Sequence, residues 1–225
     1  IYGIFPMILG SIYVTAGSLI IGVPVGLLCA VYLARFCPPR VYKYLKPAVD
    51  LLAGIPSIVY GFFGLVVIVP IMRDLFGGNG KSVLTASILL GIMILPTLIS
   101  VGEASIRAVP ESYYEGALAL GATPEETVFK VMLPAAKSGL TAGVILAIDR
   151  SIGEAMAVSM VAGNQPIIPD SLLSGVRTLT ANIVLEMGYA ADMHREALLA
   201  TGVVLFIFIL LIDLSFSLLR RRDDK

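Results

Sequence analysis

The chain has 225 residues, 57% of them hydrophobic and only 14% charged, with a mean hydropathy of +0.92. Soluble domains carry about 25% charged residues, so the composition points to one membrane-embedded unit over residues 1–225 with the lipid bilayer as its solvent. Sixteen basic and sixteen acidic residues give a formal net charge of zero, so the balance of charge does not suggest a polyanion-binding surface.

A membrane-crossing helix needs about 20 mostly apolar residues. In chain order, the first candidate runs from about Met7 to Phe36, with Pro24 as an expected kink. Cys29 lies in this run and Cys37 just after it, a pattern expected of reduced thiols rather than a site. The second candidate, "IPSIVYGFFGLVVIVPIM", covers about Ile55 to Met72. "FGGNGKS" follows and superficially resembles a phosphate-binding loop. The glycine needed five positions before Gly80 has no counterpart, since Leu75 stands where it would fall, and no strand is expected ahead of it. The third candidate runs from Val83 to about Val101 around Pro96, the fourth from about Ser138 to Gly163, and the last from about Glu196 to Leu219. The expected fold class is therefore all-α and integral to the membrane, with five spans.

The basic residues alternate with the spans. Arg35, Arg40, Lys43, Lys46, then Arg107, Lys130, Lys137, then Arg220, Arg221, Arg222 and Lys225 share one side, eleven in all, against Arg73, Lys81, Arg177 and Arg195 on the other. The basic side is expected to be cytoplasmic, which places the C-terminus there. The same parity puts Ile1 outside, and a preceding spanning helix is expected in the parent protein. The external loop, about 164–195, contains the turn-rich "NQPIIPDSLLSG" and then "VRTLTANIVLEMG", which suits a short helix ending at Gly188. Such a loop is expected chiefly to cap the bundle. One histidine, His194, cannot build a metal site.

The cytoplasmic loop, about 102–134, reads "GEASIRAVPESYYEGALALGATPEETVFKVMLP". Glu103 to Val109 suits an extension of the third span, stopped by Pro110. A helix is expected over Ser112 to Leu120, closed by Gly121 in a left-handed cap. Thr123 then N-caps a second helix, with Pro124 at its first position and Glu126 as capping-box partner. Gly116, Ala117 and Ala119 would let another backbone approach closely, although a plain hairpin joining two spans has the same pattern.

These residues carry a resemblance. "EGALALGATPEETVFKVMLP" is similar to the EAA loop of ABC-importer permeases, in which Glu-Ala-Ala is followed at fixed spacing by Gly and then by Leu-Pro. Glu115, Ala117, Gly121, Leu133 and Pro134 fall at matching positions, while Gly116 replaces the first Ala and Val131 the usual Ile. The resemblance implies a type I importer (MetI-like) helix bundle. It also implies that Glu115, Gly116, Ala117, Gly121, Ala122 and Thr123, with Leu133 and Pro134, form the element that docks on a cytoplasmic ATPase. ATP and Mg would then belong to that partner; this chain would hold no cofactor and would not be an enzyme.

The fourth span poses its own question, because "GVILAIDRSIGEAMAVSMVAG" places Asp149, Arg150 and Glu154 inside an apolar run. An ionisable residue at a helix centre costs about 2.5–3.5 kcal/mol on the insertion scale, so these groups should face protein or a polar path. In a continuous helix Arg150 and Glu154 would share a face, with Gly143, Ala147, Gly153 and Ala157 on or near it. A buried salt bridge and a substrate gate both fit that pattern; intramembrane ionisable groups favour the gate, with Arg150, Glu154 and Asp149 expected on the substrate path. Arg offers a donor fork for a tetrahedral oxyanion, and Glu accepts, so an anion that keeps a proton would satisfy both. "AIDRSIGEAMAVSMVAGN" resembles the matching segment of phosphate-uptake permeases of the PstC type, with Ala155 in place of Thr and with Asp149 unusual before the Arg. "LAGIPSIVYGFFGL" and "IRAVPESYYEGALALGAT" extend the likeness over most of the chain. It implies a multi-pass subunit of a bacterial-type inner membrane. Its partners would be a PstA-type second permease, two ATPase subunits and an external phosphate-binding protein. The same machinery for sulfate or molybdate, and more distantly a proton-coupled carrier or channel using the three charged groups as a relay, remain open at this point.

Overall fold

A computed structural model describes residues 3–223, with side chains over 3–215; Ile1 and Lys225, and the side chains of Arg220, Arg221 and Arg222, lie outside the described residues. The described residues are almost wholly helical. Helix α1 (Phe5–Val31) continues into a π turn (Tyr32–Phe36). Helix α2 (Pro39–Ala53) buries none of its residues. The second span is α3 (Ser57–Phe63), a π turn (Gly64–Ile68) and α4 (Val69–Phe76). Helix α5 (Val83–Arg107) is followed by α6 (Glu111–Ala119) and α7 (Pro124–Thr127), which runs through a π turn (Val128–Met132) into α8 (Leu133–Ala135). Then come α9 (Lys137–Gly153), α10 (Met156–Val161), α11 (Leu179–Glu186) and α12 (Asp192–Asp223).

Among the described residues, four helices are long and apolar enough to cross a membrane: Phe5–Phe36, Ser57–Phe76, Val83–Arg107 and Asp192–Ser215. A fifth span results when Pro124–Ala135 and Lys137–Gly153, bent by 70°, are taken together. Four of the five expected spans are therefore found as single helices, and the fourth member of the series differs from the expectation. It is not one helix from Ser138 to Gly163: α9 stops at Gly153 and α10 starts at Met156.

Each π turn ends two residues before a proline: Pro38, Pro70 and Pro134. A proline ring clashes with the carbonyl four residues back, and widening the ladder by one residue relieves it. In each case the residue before the proline donates five residues back, as Cys37 N–H does to Tyr32 O at 2.7 Å. Pro24 and Pro96 lie within uninterrupted α-helix, so proline alone does not set the π turn. The kink expected at Pro24 does not interrupt α1.

Lipid gives helices no hydrophobic reason to associate, so close packing and buried hydrogen bonds must do it. Helix α5 is the centre, with Leu89, Leu90, Met93, Ile94 and Leu98 fully buried. Helix α1 lies along it because Gly22 and Gly26 present no side chain: a Cβ there would meet Ile94 at 2.7 Å and Leu98 at 2.8 Å. Helix α9 closes on α5 in the same way, since a Cβ on Gly143 would meet Val101 at 3.2 Å. The Ser18 and Ser151 hydroxyls pair at 3.0 Å between α1 and α9.

The loop over residues 164–195 caps the bundle. Its carbonyls at Ser174 and Leu172 accept from Val83 N–H and Leu84 N–H at the start of α5, at 3.0 and 2.9 Å. The expected short helix is α11, N-capped by the Thr178 hydroxyl and ending before Gly188. Arg177 holds the loop together through Asn182, Asn164 O and Glu186, the last at 2.7 Å. The glycine-rich segment around Lys81 is a turn between α4 and α5, with Gly77, Gly78 and Gly80 all at positive φ.

Candidate functional site: a broken span and a projecting helical turn

The charged residues of the fourth span sit where the helix fails. Helical angles end at Gly153, and Glu154 is extended (φ −72°, ψ 123°). Glu154 therefore does not share a helix face with Arg150, a correction to the spacing argument, and among the described residues no ion pair joins the two. Glu154 instead serves the break itself. Its Oε1 accepts from Ala157 N–H at 3.0 Å, starting α10, and its carbonyl accepts from the Thr180 hydroxyl at 2.8 Å. A lone interruption at membrane depth is tolerated only where protein satisfies the freed backbone, and Thr180 from the external loop does so.

Arg150, in the last turn of α9, donates NH1 to the Thr97 hydroxyl on α5 at 3.1 Å. Tyr60 on α3 lies within electrostatic reach of the guanidinium, and its hydroxyl donates to Leu52 O at 2.9 Å. The remaining guanidinium donors and Glu154 Oε2 make no hydrogen bond among the described residues, so donors and an acceptor remain for a ligand. Of the small residues on α9 and α10, Gly143, Ala147 and Ala157 are buried and serve packing, while Gly153 is exposed at the break. Ala157 packs on Gly61 of α3, where a Cβ would fall 2.8 Å from its Cα.

Asp149 meets Asp213 of α12. Oδ1 of each is buried without a hydrogen-bond partner. Asp149 thus reaches another helix, as its rotation away from Arg150 suggests, but finds a second carboxylate there rather than a cation. Thr97, Tyr60, Thr180 and Asp213 escaped the sequence argument. An intramembrane acid such as Asp213 in "LLIDLSF" carries the same signal as Asp149; Thr97, Tyr60 and Thr180 carry none, because hydroxyls are common in spans.

In the segment between α5 and α9, the local structure follows the sequence closely. Gly121 stands at φ +90°, outside α6. Ala122 N–H reaches Ala117 O at 3.2 Å and Gly121 N–H reaches Leu118 O at 2.9 Å, the paired bonds of a Schellman cap. The Thr123 hydroxyl accepts from Glu126 N–H, and the Glu126 carboxylate accepts from Thr123 N–H. Lys130 lies 2.9 Å from Glu126 and, with that backbone bond, holds the Glu126 carboxyl below its ordinary range. Helix α6 buries no residue, Gly116 has nothing near its missing side chain, and Leu120 is 92% exposed. Glu115, Gly121 and Thr123 are exposed with it, and Ala117 and Ala122 are half-buried. The far side is anchored, as Val128 and Met132 join Val31, Ile106 and Val109 in a buried cluster, with Leu133 packed on it and Pro134 exposed. A helix that buries no residue, set on an anchored base, leaves a face open to a partner.

The described residues thus form a bundle of candidate membrane spans around α5, with one broken polar span and one projecting helical turn. The family described as "Binding-protein-dependent transport system inner membrane component" matches residues 22–224, and the chain belongs to that family. The probable ABC transporter permease protein YqgH of Bacillus subtilis is 42% identical over 218 residues, covering 94% of this chain and 71% of the relative. The phosphate transport system permease protein PstC of Mesorhizobium japonicum is 34% identical over 242 residues, covering 97% of this chain and 74% of the relative. Among solved structures, an inward-facing MetNI methionine ABC transporter chain superposes with a TM-score of 0.71 at 22% identity, covering 98% of this chain and 94% of that one. That likeness shows a shared MetI-like fold. The chain is thus an ABC transporter permease, a multi-pass inner-membrane subunit of a non-enzymatic family.

Proposed function

We propose that the chain is the permease subunit of an ATP-driven importer for inorganic phosphate. The observation that carries this is Arg150: an intramembrane guanidinium, steadied by Thr97 at 3.1 Å and placed one turn before a break whose Glu154 keeps one carboxylate oxygen unengaged. A hydrogen phosphate ion accepts from the guanidinium fork and donates its own proton to a carboxylate, whereas fully deprotonated sulfate cannot donate. The PstC-named relatives support the same substrate. Arg150 and Glu154 would meet the anion on its path, and Asp149, turned onto Asp213, would stay outside it.

The power source is a separate ATPase dimer that holds ATP and Mg. It docks on α6 and the Gly121 turn, through Glu115, Gly116, Ala117, Ala122 and Thr123, with Leu133 and Pro134 at the fixed base. The C-terminus of α12 lies on the same, cytoplasmic side. A PstA-type second permease completes the path, and an external phosphate-binding protein delivers the anion. The test is uptake of radiolabelled phosphate into vesicles holding the reconstituted complex, with sulfate and molybdate as competitors. ATP-dependent uptake that tenfold excess sulfate does not inhibit is expected. Equal competition by sulfate would overturn phosphate as the substrate.

A further inference from the structure

The π turn Tyr32–Phe36 at the foot of α1 is a meeting point that neither the path nor the docking surface uses. The turn frees a carbonyl. Cys37 N–H, the α-helical partner of Leu33 O, is spent on Tyr32 O at 2.7 Å. The next residue is Pro38, which has no N–H. Leu33 O is taken instead by Arg107, the last residue of α5, whose NH2 donates to it at 3.0 Å. Arg107 also lies over the Tyr42 ring at 4.8 Å and bonds Glu103 at 2.8 Å. Glu103 is itself buried and accepts from the Tyr42 hydroxyl at 2.6 Å, with Lys46 at 3.4 Å. These contacts hold α2, which buries nothing of its own, against the end of α5.

The same turn reaches the projecting helix. Arg35 NH1 donates to both carboxylate oxygens of Glu111, at 3.1 and 2.9 Å, and the guanidinium lies over the Tyr114 ring at 5.2 Å. Both partners sit in the first turn of α6. The Arg35 side chain is 14% exposed, and its Nε is buried with no partner, so the group is held in place by what α6 offers it. Helix α6 buries no residue; it is held at this end by the clamp together with Tyr114, which packs on the cluster of Val31, Ile106 and Val109.

We infer that the π turn is the joint through which displacement of α6 reaches α1, α5 and α2, and that Arg35 is its positioning residue. This rests on α6 being the ATPase-coupling helix, as proposed above. An Arg at this place does what Lys cannot, gripping a carboxylate and stacking on a ring at once. Loss of the clamp leaves α6 able to dock but unable to pull on the bundle.

The test uses the full transporter complex in proteoliposomes, with ATPase retention, basal hydrolysis, hydrolysis stimulated by phosphate-loaded binding protein, and uptake all measured. Arg35→Ala is expected to retain the ATPase and basal hydrolysis, while stimulated hydrolysis and uptake per ATP each fall about tenfold. Arg35→Lys should fall less, and the reversed pair Arg35→Glu with Glu111→Arg should recover at least half of the wild-type ratio. Unchanged stimulation in Arg35→Ala would overturn the joint. So would loss of the ATPase from that variant, or a reversed pair no better than Arg35→Glu alone. The wild-type complex separates the two ideas. Its failure to take up phosphate would overturn the substrate, whereas the ratio of stimulated to basal hydrolysis, driven by whatever cargo the complex accepts, reads the joint independently.

Discussion

Two helices of this chain, α6 and α9, end without a proline at the end itself, and they end by opposite means. Helix α6 stops at Gly121 through near neighbours: Ala117 and Leu118 supply the carbonyls, Gly121 supplies φ +90°, and Thr123 with Glu126 opens the next helix. Helix α9 stops at Gly153 with no such cap, and the helix resumes at Met156 only because Glu154 is satisfied at both ends. One of those partners, Thr180, comes from the external loop. A turn in water can rely on its own residues, since water satisfies the rest. A break in the membrane needs protein partners from elsewhere in the chain, because lipid supplies none. The first kind of stop suits a docking surface and the second a polar opening in an apolar wall.

The sharpest test of this contrast is Arg150→Ala. A hydrogen bond to a charged group is worth ~1.5–3 kcal/mol, so uptake should fall up to about a hundredfold, effectively abolishing transport, while the complex still assembles. Normal uptake by that variant would remove Arg150 from the path. Glu154 comes next. Glu154→Ala loses the α10 cap, at ~1 kcal/mol, and lowers the unfolding temperature in detergent; Glu154→Gln keeps an acceptor for Ala157 N–H and should unfold like the wild type. Both should lose about tenfold in uptake if the carboxylate meets the anion. Full uptake in Glu154→Gln would confine Glu154 to capping.

At the other stop, Gly121→Val forces a β-branched residue to φ +90°, at ~1–2 kcal/mol. Pull-down of the ATPase should weaken about tenfold with no change in the spans, and undiminished retention would take the turn out of the docking surface. The smallest effect concerns the external cap. The Tyr189 hydroxyl first, and Arg177 after it, hold the Glu186 carboxyl below its ordinary range. A depressed carboxyl contributes stability that is full above its unfolded pKa and is lost as the pH falls through its folded value. Thermal stability should therefore decline on acidification through and below the ordinary carboxylate range, and Glu186→Gln should flatten that slope. An unchanged slope would mean that other groups control the cap.

The sequence by itself determined the parts that depend on neighbours and on solvent. The membrane class followed from apolar runs, and the Gly121 cap and the Thr123–Glu126 box from residues within one turn of each other. The prolines at 38, 70 and 134 mark the π turns in retrospect, but Pro24 and Pro96 lie in uninterrupted α-helix, so a proline does not by itself announce one. Only the tertiary structure decided the fourth span. The i,i+4 spacing of Arg150 and Glu154 assumed a helix that Glu154 itself interrupts, and nothing between 143 and 163 announces Thr97, Thr180 or Asp213 as partners. Those contacts join α9 and α10 to α5, the external loop and α12. Their energy comes from satisfying buried polar groups across long stretches of chain, which no local pattern encodes.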